Sequence, residues 1–551
     1  MRCAFPILSV LTLSVSLQAQ QPVLIHRAVV NAASLAPFGL PNGALARGSL
    51  FSIFGENLGP AQFAQASAFP WTVNLAGVTI TLTQTATSTV SYDAVPYFVS
   101  AGQINAVLPS TLKAGLASLR VTYQGRRSNA ITVQIADAAP GIFAVSSGGF
   151  GPGIVQNFVA ADNQPINSLI KPATRGQFIT IWGTGLGPVP YADNIAPTAG
   201  NLATAVTITI GGRPATKQYA GRSPCCAGLD QVVVSIPDDA SLGCWVPVQI
   251  TAAGVVSNTV TMAIAAPGST SCSDPNNVLS SLARSSGTQG FIHLQRVNGI
   301  SDVTHDLSRS EMDNIYARFI DKPASEFSFD PYLSYPPPGT CLLHQTAGDS
   351  SISRNLRGAP LVSMTPRPAL VFNNGLENAP SLGSLAAFYS FRLGGTVDAK
   401  SVGIRLANSS AKATLDPGGP NATVLPLKLV SPPTWPQRDT LRLIDRAVPL
   451  VLNFTPTDAA SPTAITLYAY ASYVNATVEV QCLAPPGAST FTIPADTLAN
   501  LPHTYKDIDG SYSTLAIGTL STNGVTPFSN SLVANGVMLY SPWLTISVVL
   551  R

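Results

Sequence analysis

Charge is what this chain has least of. Only 10% of its 551 residues are Asp, Glu, Lys or Arg, and the 30 basic and 27 acidic residues nearly cancel. No basic run is longer than Arg126-Arg127. That leaves no electrostatic footprint for nucleic acid or for an anionic membrane surface. Histidine is equally scarce: the five are His26, His293, His305, His344 and His503, and none stands in a His-x-x-x-His or HExxH spacing. No G-x-S-x-G elbow occurs, so His305-Asp306 with Ser308 and Ser310 reads as a surface loop rather than as a fragment of a hydrolase. No motif calls for a cofactor. Helical periodicity is almost absent, and past the N-terminus no uninterrupted apolar run approaches the roughly 20 residues that span a bilayer.

What the chain has in quantity is apolar residues (46%) together with 44 Gly and 45 Pro, the profile of many short strands joined by tight turns. Its length exceeds a single core and suggests roughly three or four domains. The opening MRCAFPILSVLTLSVSLQAQQ sets one Arg before an apolar segment and small residues around Ala19. This reads as a secretory signal peptide over residues 1–19, and the expected product is an exported, soluble, extracytoplasmic protein.

Removing Cys3 leaves Cys225, Cys226, Cys244, Cys272, Cys341 and Cys482, an even number suited to an oxidising compartment. Neighbouring cysteines have Cα atoms only about 3.8 Å apart, closer than a relaxed bridge prefers. The expectation is therefore that Cys225 and Cys226 reach out to Cys244 and Cys272, leaving Cys341 to Cys482. A bridge from Cys226 to Cys244 would contribute about 3 kcal/mol by loop entropy. A zinc site is disfavoured because the doublet lacks Cys-x-x-Cys geometry.

The segment ARGSLFSIFGENLGP at 46–60 returns as TRGQFITIWGTGLGP at 174–188. Arg47 matches Arg175, Pro60 matches Pro188, Val78 matches Val206, Gln103 matches Gln231 and Pro109 matches Pro237, all at an offset of 128. Ser128-Asn129 then matches Ser257-Asn258 with a drift of one. Two copies of one domain follow, over 20–142 and 143–272, the second including an exit linker that Cys272 is expected to tie down. In each copy alternate apolar residues (Phe51 and Ile53, or Ile179 and Ile181) mark one buried face of a strand, and the glycine-proline turn ends it. About seven short strands per copy indicate an immunoglobulin-like sandwich.

VVNAAS at 29–34, RGSLFSIFGENLGP, VPYFVSAGQINAVLP at 95–109, AAPGIF at 138–143, RGQFITIWGTGLGP and SPCCAGLDQVVVSIP together resemble the tandem module of uncharacterised secreted proteins called the Solibacter C-terminal domain, over about residues 27–268. Its halves are similar to IPT/TIG immunoglobulin-like folds. The resemblance implies extracytoplasmic modules without known catalytic residues or cofactor. Here the module precedes some 280 further residues, about which the resemblance says nothing.

Residues 273–551 still read as β, and a larger β-sandwich domain is expected there, with GFIHLQRV, AITLYAYASY, TVEVQCL and LTISVVL as strands and a short accessory helix in SEMDNIYARFI. The whole is an all-β protein: two tandem sandwiches, then a third domain. Val478, Val480 and Cys482 share one face of their strand and should point inward. Asp507 and Asp509 before Gly510 resemble the start of a calcium loop but lack its later acidic ligand, so a capped turn is the preferred reading. Tyr332, Tyr335, Trp435 and Trp543 lie beside prolines and are candidate binding aromatics, against the alternative that they plug the ends of a sandwich. These features favour a non-enzymatic exported protein whose modules space or dock a C-terminal domain that binds an extracellular polysaccharide or a surface protein. The competing readings are a secreted hydrolase, which needs carboxylates or a Ser–His pair converging in a cleft, and a structural envelope component associating through a sheet edge.

Overall fold

The computed structural model describes residues 20–84, 90–302, 307–347, 362–363, 370–373, 388–397, 400–403, 412–415, 422–504 and 510–551. They form almost nothing but β-structure, beginning with two immunoglobulin-like sandwiches in tandem. The first contains β1 (Val23–Asn31), β2 (Leu50–Glu56), β3 (Val78–Gln84), β4 (Val90–Val99), β5 (Gln103–Val107), β6 (Gly115–Tyr123) and β7 (Ile131–Ala136). Its strands run in the order β1-β2-β5-β4-β3-β6-β7. Strand β4 serves both layers: its first half pairs with β3 and its second half with β5. Alternation does the folding, since Phe51, Ile53, Ile80, Leu82, Ile104, Leu119, Val121 and Val133 meet in one core.

The second sandwich contains β8 (Phe178–Thr184), β9 (Val206–Ile210), β10 (Thr216–Arg222), β11 (Asp230–Ser235), β12 (Gly243–Ala252) and β13 (Val260–Ile264). The repeat in sequence is a repeat in register. Leu50 faces Val107 across β2 and β5, and 128 residues later Phe178 faces Ser235 across β8 and β11. The matched polar residues also do matched work. The Ser128 hydroxyl accepts from the Val121 amide and donates to the Asn129 carbonyl, and Ser257 does the same with Ile250 and Asn258. Asn129 exchanges two hydrogen bonds with the backbone of Leu24, and Asn258 exchanges two with Ile142, so each pair closes the end of its domain onto the start. Arg47 donates to the Leu112 carbonyl and Arg175 to that of Ala240, again 128 apart.

The C-terminal region is built on one long sheet containing β14 (Gly287–Asp302), β15 (Leu307–Lys322), β16 (Thr340–Ala347), β17 (Phe388–Val397), β18 (Thr463–Ala471), β19 (Ala476–Ala484), β20 (Tyr512–Thr519) and β21 (Asn535–Leu550). The order is β16-β19-β18-β20-β21-β14-β15-β17, with β14 and β21 parallel and the other pairs antiparallel. The helix expected in SEMDNIYARFI is instead part of β15, because sixteen consecutive pairings with β14 and a further ladder with β17 outweigh local helical preference. One face of the sheet is covered by the domain's own short strands: Leu450–Asn453 and Thr490–Ile493 over one end, Thr423–Pro426 and Lys412–Leu415 over the other. Val478, Val480 and Cys482 point into that covered core, as their alternation predicts.

The cysteines pair as Cys225–Cys226, Cys244–Cys272 and Cys341–Cys482. The third was expected and the first two correct the expectation. Cys225 and Cys226 occupy the turn between β10 and β11, in one sheet of the second sandwich, whereas Cys244 lies in the other sheet on β12. Cys244 instead meets Cys272 with Cα atoms 5.1 Å apart, so Cys272 does tie the exit linker down, to a different partner. Beside this bridge the buried Asp274 carboxylate accepts from the Cys244 amide at 3.0 and 3.1 Å. Burial outweighs that bond and pushes the Asp274 pKa up to about 6.

Two outcomes follow. Asn258 is buried and Asn129 exposed, so Asn258→Ala should cost about 2–3 kcal/mol in denaturant unfolding and Asn129→Ala about 1 kcal/mol or less. Because the folded Asp274 holds its proton to higher pH than the unfolded residue, its contribution to stability is greatest below about pH 4 and declines as pH rises to about 6. The full change is about 3 kcal/mol at most, and Asp274→Asn should remove it from a pH series of unfolding midpoints.

Candidate functional site

Of the four aromatics singled out from the sequence, only Tyr332 is exposed, at 53%, with its ring 5.6 Å from that of Tyr316. Tyr335, Trp435 and Trp543 are buried, which removes them from any open binding strip. The prolines beside Tyr335 and Trp435 do lie outside the long strands, but Pro542 and Trp543 sit within β21. Trp435 joins Leu452 and Phe454 in the covered core. Tyr335 and Trp543 lie in a cluster with Trp245, Leu342 and Leu483. Trp543 donates to the Ser541 hydroxyl at 2.7 Å, and its ring occupies the space a side chain at Gly518 would need. Asp507 and Asp509 lie outside the described residues, as does His305, while Ser308 and Ser310 fall in β15.

The described histidines do not converge. His26 and His503 are exposed. His344 is buried between the rings of Phe150 and Phe329, and its pKa falls to about 4 through desolvation. His293 contacts the Ser541 hydroxyl at 2.6 Å, but that serine is fully buried and also accepts from the Trp543 indole. No group of three or more His, Cys, Asp or Glu suited to a metal occurs among the described residues.

The second face of the long sheet is where the chain presents a surface. Register sorts its side chains into rows across β16, β19, β18, β20 and β21. One row runs Leu483, Ala464, Gly518, Trp543 and is buried beneath the second sandwich and its exit linker. The next runs Leu342, Gln481, Thr466, Ala516, Thr545, then His344, Glu479, Tyr468, Thr514, Ser547, and last Thr477, Tyr470, Tyr512. Polarity and exposure rise along this series, from apolar and covered to Tyr512, which is 52% exposed.

At the open end three tyrosines stand together. The Tyr512 ring centroid is 5.8 Å from that of Tyr468, in a stacked pair, and 5.6 Å from that of Tyr470. A hydrogen bond with Tyr468, followed by partial burial, pushes the Tyr512 pKa up to about 12, so this phenol is a neutral donor and acceptor at ordinary pH. The Tyr470 hydroxyl donates to Asn475 at 3.3 Å, and Tyr468 lies 3.4 Å from the Thr477 hydroxyl. Glu479, on the Tyr468 row, has its pKa raised by burial and accepts from Gln481 at 3.1 Å. A cleft of about 110 Å³, lined by Arg442, Thr504, Ser511, Tyr512 and Ser547, opens beside the tyrosines. The signal for this face was present in TAITLYAYA: Ile465, Leu467 and Ala469 alternate with Thr466, Tyr468 and Tyr470. Tyr512 comes from a strand some forty residues later, and only the fold brings it alongside.

No family model matches the chain and no curated protein does. Among solved structures it is similar to a tetra-tandem repeat from the extending region of a large adhesion protein, at 12% identity over 92% of this chain and 96% of that one, with a TM-score of 0.13. It is also similar to domains from titin (9%, 72% and 93%, TM-score 0.13). A third is the SGBP-B protein of the Bacteroides ovatus mixed-linkage glucan utilization locus, in complex with a mixed-linkage heptasaccharide (12%, 64% and 67%, TM-score 0.20). Scores this low carry no functional argument. No helix among the described residues is long and apolar enough to cross a membrane.

Proposed function

We propose that the chain is an exported, non-enzymatic binding protein, that its open tyrosine face takes a neutral extracellular polysaccharide, and that the two immunoglobulin-like sandwiches are the scaffold that presents it. Residues 27–268, with their repeated registers, would be the secreted tandem module that the sequence resembles. The observation that carries the reading is the group of Tyr468, Tyr470 and Tyr512 on an uncovered sheet face, with Thr477, Thr514 and Ser547 among them. Sugar rings have an apolar C–H face and a hydroxyl rim. An aromatic platform removes the first from water while phenol and threonine hydroxyls satisfy the second. Three disulfides suit the oxidising compartment where such a ligand is met.

The test is a titration of the full chain against soluble neutral polysaccharides, with reducing ends assayed in the same samples. Saturable binding without sugar release is expected. Tyr512→Ala should weaken it about tenfold, the effect of losing one aromatic anchor, and Tyr332→Ala should leave it unchanged. Sugar release overturns the non-enzymatic reading. A surface protein as ligand would appear as indifference to every polysaccharide.

A further inference from the structure

The first sandwich carries a second set of aromatics, most of which its repeat lacks. Strand β4 is bulged at Tyr97, where the register with β5 shifts between Pro96 and Phe98, and the bulge leaves both Tyr97 and Phe98 half-exposed. The segment at 63–71 runs alongside. Phe63, 66% exposed, stacks on Phe98 at 5.6 Å, Phe69 stacks on Trp71 at 4.6 Å, and Trp71 stacks on Tyr97 at 5.8 Å. Amides complete the strip: the Asn105 side chain donates to the Tyr97 hydroxyl at 3.3 Å and accepts from Gln103 at 2.9 Å. None of these side chains is charged.

Phe69, Trp71 and Tyr97 pack on one side against Leu50, Val95, Val107 and Ala227, and the internal repeat keeps few of these rings. At the offset of 128, which holds on both sides of this segment, Phe69 and Trp71 correspond to Pro197 and Ala199, and Tyr97 and Phe98 to Cys225 and Cys226. The second copy keeps an aromatic only at the place of Phe63, as Tyr191, and builds its sandwich without the other four rings. Trp71 is also fixed in place from the neighbouring sandwich: its amide donates to the Asn194 carbonyl at 2.8 Å, and its carbonyl accepts from the Asn194 side chain at 2.9 Å. A strip of stacked rings, uncharged, flanked by amides and held from behind, has the chemistry of a neutral sugar site rather than of a charged partner.

We propose that Phe63, Phe98, Tyr97 and Trp71 form a second carbohydrate site, for a neutral β-linked glucan, whose flat ribbon presents successive apolar faces to successive rings. This rests on the reading of the tyrosine face as a glycan surface, since both sites would then engage one polymer and gain from shared occupancy.

Cellohexaose and hydroxyethyl cellulose are the probes, titrated into the full chain and into Phe63→Ala/Phe98→Ala, Trp71→Ala and Tyr468→Ala/Tyr512→Ala variants, with thermal melts as folding controls. The expected result is two hexaose sites in the wild-type chain and one in either double variant, with at least a tenfold loss of polymer affinity in each. Phe63 is the decisive position because its exposure makes its truncation harmless to folding, and Phe63→Ala alone should weaken the polymer. Unchanged stoichiometry and polymer affinity in the Phe63→Ala/Phe98→Ala variant overturn the second site while leaving the tyrosine face standing. Loss in that variant alone, with Tyr468→Ala/Tyr512→Ala unaffected, supports the strip and overturns the tyrosine face. No binding of either probe by the wild-type chain overturns the glucan assignment.

Discussion

The burial of Trp245 is the contact on which the arrangement of this molecule depends. It is fully buried on β12, donates to the Ser328 carbonyl at 3.1 Å, and packs with Leu169, Leu333, Leu342 and Trp543. The bridge Cys244–Cys272 and the Asp274 carboxylate hold the adjoining backbone. The residue at the equivalent place in the first sandwich, one register step before Ala117, is Leu116, and it is 57% exposed. One copy of the repeat has thus been fitted to cover a sheet, and the other has kept the corresponding position in solvent. The first sandwich touches the C-terminal domain differently, through reciprocal Asn42–Gln345 hydrogen bonds and Leu40.

A sheet this long cannot leave both faces wet, and it has a layer of its own for only one. The second sandwich takes part of the other face, and the side chains change with the cover. Leu483, Ala464 and Trp543 lie beneath it; Gln481, Thr466 and Thr545 lie at its margin; Tyr468, Tyr470 and Tyr512 lie beyond. Tyrosine suits the last position because its ring continues the packing while its hydroxyl meets water. The proposed binding face is therefore the uncovered remainder of an otherwise buried surface, and it is stiff because the same strands are fully packed on the reverse side.

Much of the fold was legible because it repeats. Two copies of the same strand and turn at a constant offset fix register better than either would alone, and the Ser128-Asn129 and Ser257-Asn258 pairs, visible only as matches, prove to be the same hydrogen-bonded closure. Of the cysteine pairs only Cys341–Cys482 was legible, because the other two turned on which sheet of a sandwich each cysteine entered. The site was least legible. Aromatics beside prolines suggest turns, yet Trp543 beside Pro542 lies within β21, and whether such a ring ends in solvent or beneath a neighbouring domain is decided by packing between residues far apart in the chain. Trp543 went under and Tyr512 stayed out for reasons that neither neighbourhood contains. Tyr468 and Tyr470 did announce a polar face by alternation, but a strand with one polar face is ordinary, and only their meeting with Tyr512 made it a platform.

The claim most open to direct attack is that the tyrosine rows are where ligand sits. Hydrogen–deuterium exchange of the full chain, with and without saturating soluble polysaccharide, reads this segment by segment. Added protection is expected in peptides covering Thr463–Ala471, Ala476–Ala484 and Tyr512–Thr519. Saturated ligand with those strands unchanged, and protection confined to other surfaces, would contradict it.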